Sequence, residues 1–394
     1  MADRGALEAA AAAGVIKAEQ VGPLHDFLAS GAAGVSAAPS GEEDLRFIRN
    51  FHDVFLAIGI ILLAIGLSIG VTVFVTTSGL EGPQAAAITT GALFAGCGAV
   101  MWALGEIFAR RRRLFLPAIA IVCSLTIFSV IAAALLYTGV IVGRGFEGSG
   151  LDLSTMPPEL RVGILIATAL AFIAPFAFYL RFRLPFSLGL AGGGLAFFII
   201  VLAMVTNFDL TMQFISPLYL TLGILLFLAG VAFDARDPAR TTRFSDNGFW
   251  LHFAAAPLIL NGAFGLIGQL FGSSNGLTSS GALVMSASEG GGAATAHAAL
   301  TLVVVVLLGV ISLLINRRVL IVSTLITTGV AIGILMNALG LGAGALAASV
   351  LIVLGAFVLI LGASWHTARR ALLGWVKPDG AWARIFPPET PAAA

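Results

Sequence analysis

Long apolar runs broken by short basic turns constrain this chain more than any other feature. Nineteen of its 21 Lys and Arg residues fall in segments that can all lie on one side of a membrane. The turns are 110–113 (RRRR), 181–183 (RFR), 316–318 (NRR) and 366–370 (HTARR), and the connections on the opposite, outer side carry only Arg144 and Arg161. Basic residues that flank a span are retained in the cytosol. The alternation therefore translates directly into a topology.

A span needs about 20 apolar residues to cross the ~30 Å hydrocarbon core. Ten segments qualify, at roughly 53–76, 85–109, 114–138, 160–180, 184–206, 214–233, 248–271, 297–315, 319–338 and 342–364. The expected fold is an all-α polytopic membrane helix bundle of about ten transmembrane helices, with both termini cytosolic. Only 10% of the residues are charged and 59% are hydrophobic. Soluble domains carry about 25% charged residues, so a water-soluble globule is excluded. In this topology the outer side holds six acidic residues against two arginines, and the inner side 19 basic against 14 acidic. Such an inner face attracts anionic membrane lipids and gives no specific reason to bind nucleic acid. Residues 1–50 lack the basic-then-apolar pattern of a signal peptide, so insertion is expected to begin at the first span, near Val54.

The turns also suggest a repeat. RRRRLFLPAI, RFRLPFSLGL and NRRVLIVSTL each join an inward-running helix to an outward-running one. Arg113 and Arg183 are 70 residues apart, and Arg318 follows at nearly twice that interval. Recurrence at this spacing is the mark of duplicated helix hairpins, although turn chemistry under the positive-inside rule imitates it. The loop 234–247 (DARDPARTTRFSDN), with three arginines and three aspartates, reads as a folded, self-paired version of the same turn.

The N-terminus is a separate element. Leu7 to Ala13 is a strong helix former ended by Gly14, and a second helix runs from Lys17 through Val21, Leu24 and Leu28. The expected organisation is a cytosolic hairpin at 1–31, a linker at 32–52, the bundle at 53–364 and an interfacial tail at 365–394. A Leu-x6-Gly-Val-Ile-x3-Gln hairpin followed by many spans with Arg-rich inner turns resembles a bacterial multi-pass inner-membrane family of unknown function. Members often carry Ser, Thr or Asp where this chain has Lys17. The resemblance covers the whole layout and implies a bacterial inner-membrane location, with no activity or site residues attached.

Polar groups inside a bilayer are costly, so each is a candidate site. Glu106 is the best-placed acid, and Arg110 four residues later can neutralise it locally. The seventh segment is the most polar, with His252, Asn261 and Gln269. Asn261 and Gln269 are about 80° apart on a helical wheel and can share a face. Asn261 serves either helix–helix hydrogen bonding among glycines or a water-lined path; Asn337 in the ninth segment admits a cap or the same path. Gly192, Gly193 and Gly194 allow either a broken helix beside a substrate path or close packing. If His52, Asp53, Glu106, His252 and His366 converged, they would form a titratable cluster at the cytosolic mouth.

Catalytic patterns are sparse. No His-Glu-x-x-His, Walker loop or Cys-x-x-Cys occurs, and Ser364 and His366 point about 200° apart on one helix. Cys97 and Cys123 sit in apolar runs and give no disulfide or metal framework. No catalytic residue, metal site or cofactor is expected. A transporter-like protein moving a small or lipidic solute is the favoured class. The rival is a scaffold or sensor whose residues 1–31 bind a protein partner, and an intramembrane enzyme comes third.

Overall fold

The computed structural model describes residues 4–26, 51–142, 157–237, 243–270, 292–315 and 343–374, which are helical apart from short turns. Two compact units emerge, Met1–Glu42 with Glu389–Ala394, and Glu43–Pro388. In the first, α1 (Arg4–Ala12) ends at Gly14, whose φ of 74° lets the Val15 N–H reach the Ala10 carbonyl at 3.0 Å. A 3-10 turn, Ala18–Gln20, then leads into helix at 21–26. Gln20 accepts from the Lys17 N–H at 2.9 Å. This is half of a capping box; an ammonium cannot accept, so the reciprocal bond that Ser, Thr or Asp would make is missing.

The second unit contains α2 (Phe51–Thr77), α3 (Pro83–Gly105), α4 (Phe115–Val142), α5 (Pro158–Phe182), α6 (Pro185–Thr206), α7 (Phe208–Gln213), α8 (Ile215–Asp234), α9 (Arg243–Leu270), α10 (Gly292–Ile315) and α11 (Ala343–Leu373). Among the described residues, seven helices are long and apolar enough to cross a membrane, in the places of the first seven expected spans. An eighth is added if the pair Leu351–Trp365 and Thr367–Leu373, bent by 63°, is taken as one span. The segment expected at 319–338 lies outside the described residues. The short helix α7 was not expected; Asn207 caps it by accepting from the Leu210 N–H at 3.0 Å.

Small residues every seventh position set the helix pairing. On α8 they are Ser216, Gly223 and Gly230; on the antiparallel α9 they are Gly248, Ala255 and Gly262. A Cβ at Gly223 would lie 2.7 Å from the Ile259 backbone nitrogen, and one at Gly230 would lie 2.8 Å from the His252 ring. Gly91, Gly98 and Gly105 on α3 face α4 and α5 in the same rhythm, with Ala118, Ala132 and Gly139 on α4. A repeat of seven keeps one seam facing the partner, and small residues let backbones close where no hydrophobic drive operates between helices in lipid.

The basic turns bring further detail. Helix α3 continues into a π turn, Glu106–Arg111, a local widening frequent at functional sites. Arg113 and Arg183 then both adopt left-handed backbone, with φ of 53° and 54°, as the only non-glycine residues among those described to do so. Such a conformation costs a side-chain-bearing residue about 1–3 kcal/mol. At Arg183 it closes α5, its N–H donating to the Tyr179 carbonyl at 2.8 Å.

Candidate functional site

Polar side chains gather where the α3–α4, α5–α6 and α8–α9 connections meet, at the basic-turn end of the bundle. The π turn aims Glu106 toward α5, so its carboxylate accepts from Arg110 at 3.1 Å and from Arg181 Nε at 2.7 Å. The local pair expected from i, i+4 spacing is present. The tie to Arg181 was not legible, because the sequence does not say which helix lies beside α3.

His252 is fully buried, and its Nε2 lies 3.1 Å from Asp234 Oδ2 at the end of α8. Glycine makes this possible twice: Gly230 leaves room for the imidazole, and Gly248 lies against the Asp234 carboxylate. Phe227 packs on the imidazole at 4.7 Å. Sequence reading assigned Asp234 to a self-paired loop; the structure gives it a helix-end position and an interhelical partner. Asn247 Nδ2 donates to the Tyr179 hydroxyl at 3.0 Å, joining α9 to α5. Tryptophans also join helices here, Trp102 to Phe182 at 5.5 Å and Trp250 to Phe186 at 4.7 Å.

Among the described residues no hydrogen bond or ion pair joins the remaining expected residues to one another, and the His366 side chain lies outside those described. Glu106 and His252 take separate partners, and His52 is exposed at the start of α2 while Asp53 is buried. Helix α6 runs unbroken through Gly192, Gly193 and Gly194, and two of them, Gly192 and Gly194, are close-packing sites while Gly193 makes ordinary contact. A Cβ at Gly192 would lie 2.7 Å from Leu226, one at Gly193 would lie 3.9 Å from Ala254, and one at Gly194 would collide with the Ala171 carbonyl. Asn261 Nδ2 donates to the Pro257 carbonyl of its own helix at 2.7 Å, and Gln269 is exposed. Asn337 lies outside the described residues. Among the described residues no group of three His, Cys, Asp or Glu side chains is placed to hold a metal ion.

Two of the cavities among the described residues bear on this arrangement. One of about 110 Å³ lies at the basic-turn end between Arg113 and Arg183, with Asp246 on its wall. The other, about 870 Å³, is an apolar groove at mid-span between α2 and α3, lined by Gly66, Gly70, Phe74, Gly96, Cys97 and Val100 among others. It exists because α2 packs more on α4 than on α3, its neighbour in sequence. The chain matches no family model, no curated protein and no solved structure.

Proposed function

We propose that this is an integral protein of the bacterial inner membrane, with ten spans and both termini cytosolic, that binds and moves a lipidic solute. The observation that carries this reading is the groove between α2 and α3. Its volume of about 870 Å³ is in the range of ligand pockets, roughly 300–1,000 Å³, and its lining is that of a hydrocarbon site. No Cβ added at Gly66, Gly70 or Gly96 would meet an atom within 4 Å. These glycines therefore hold space open where those of the α8–α9 seam close it.

Leucine at Gly66 and Gly96 should fill the groove without disturbing the fold. In proteoliposomes carrying a headgroup-labelled fluorescent phospholipid, the wild-type protein is expected to bring inner-leaflet label within reach of an external quencher. The G66L/G96L variant, at equal Tm, should not. Equal rates for both, or none for the wild type with any lipid offered, would sink the reading.

A second reading keeps the bundle as an anchor and gives residues 1–31 to a protein partner. It is favoured by the separate compactness of the N-terminal unit and by its cleft of about 350 Å³ lined by Ile16, Glu19, Gln20, Pro23 and Leu24. Deleting 1–31 would then abolish function while the bundle inserts normally.

A further inference from the structure

We propose that the cavity between Arg113 and Arg183 is a binding site for a monoanionic phosphate group, separate from the α2–α3 groove and independent of what occupies it. The cavity is walled by the α3–α4 turn (Arg113, Leu114, Phe115), the α5–α6 turn (Arg183, Leu184, Pro185) and Asp246 of α9. Two arginines from turns 70 residues apart thus flank one space large enough for a tetrahedral oxyanion. Among the described residues neither forms an ion pair; Arg183 lies over the Tyr179 ring at 5.7 Å.

The backbone makes the same point independently. Left-handed positions favour glycine, which adopts them without a Cβ penalty. This chain uses 47 glycines, yet at both left-handed turns beside this cavity it carries arginine. Strain retained at a site is a pointer to what the side chain does there. Orientation in the membrane does not require it, because Arg110, Arg111 and Arg112 supply basic charge in ordinary backbone at the same turn.

The surroundings suit an anion. Helices α4 and α6 both begin at the cavity wall, with Phe115 and Pro185 as their first residues, so the positive ends of two long helix dipoles face it. The guanidinium fork is the side chain best matched to phosphate oxygens. Asp246 adds a negative charge to the cavity wall, which favours a singly charged phosphodiester over a doubly charged phosphate. A phosphodiester is available from membrane lipid headgroups, and free phosphate offers the same chemistry in its monoanionic form.

The test uses full-length protein in a phosphate-free maltoside detergent, with Kd read by titration. One arm adds phosphatidylglycerol in mixed micelles; the other adds inorganic phosphate. Arg113→Gln and Arg183→Gln are each expected to weaken binding roughly tenfold, and Arg112→Gln, which changes the same net charge away from the cavity, should leave it unchanged. R113G/R183G should bind least while melting no lower than wild type, since glycine relieves both left-handed residues. Binding in the lipid arm alone assigns the site to a headgroup, and binding in the phosphate arm alone assigns it to free phosphate. No binding in either arm, binding that survives R113G/R183G, or equal weakening by Arg112→Gln overturns the proposal.

Discussion

Glu106 on α3 accepts from Arg181 Nε on α5 at 2.7 Å, across 75 positions of sequence. Together with the 3.1 Å bond from Arg110, this carboxylate fastens two helices at the basic-turn end. It lies where a proton-coupling acid would also lie. Because the site is partly exposed, the bonds are weakened by solvent and salt. Glu106→Gln should therefore lower Tm slightly at low ionic strength and leave it unchanged at about 1 M salt, where screening acts within ~3 Å. Melting curves at the two salt levels check this; a salt-independent loss would indicate a buried role.

The α8–α9 seam predicts a contrast among glycines. Gly223→Ala and Gly262→Ala place a methyl against backbone atoms of the partner helix, and overpacking of this kind costs about 1–3 kcal/mol. Gly66→Ala and Gly96→Ala meet open space and should be neutral or stabilising, since alanine is the better helix former by up to about 1 kcal/mol. Unfolding in mixed detergent micelles measures both sets.

His252 and Asp234 should behave as one unit. Removing His252 vacates a fully buried site and leaves Asp234 without its 3.1 Å contact. His252→Ala is expected to cost about 2–5 kcal/mol, the range for emptying a large buried site. Asp234→Asn should cost less in the His252→Ala background than in wild type, and a double-mutant cycle reads the difference.

Arg369 is buried, and its Nε donates to the Leu313 carbonyl at 3.0 Å, near the end of α10. A cation among the last carbonyls of a helix opposes the negative end of its dipole. Arg369→Gln should destabilise the protein by about 1.5–3 kcal/mol, the worth of a hydrogen bond to a charged group. Lysine should rescue poorly because it lacks the planar fork. Faster proteolysis at the α10–α11 end relative to α8–α9 would report the loss.

Orientation is open to direct labelling. In a variant with Cys97 and Cys123 replaced by alanine, a cysteine at position 112 should react with a membrane-impermeant maleimide only after permeabilisation. One at position 80, in the turn between α2 and α3, should react in intact cells. The reverse pattern would invert the topology.

What the sequence determined is what depends on neighbours along the chain. Apolar length set the first seven helices, Gly14 ended α1, and the i, i+4 spacing paired Glu106 with Arg110. What the tertiary structure decided depends on which helices lie side by side. In lipid this is settled by shape, through close approach at small residues, because lipid tails leave no hydrophobic drive between helices. With 47 glycines in the chain, spacing alone could not separate Gly223, which closes a seam, from Gly66, which leaves a groove open. The same uncertainty hid Arg181 from Glu106, Asp234 from His252 and the cavity between Arg113 and Arg183, each a meeting of helices that only packing brings together.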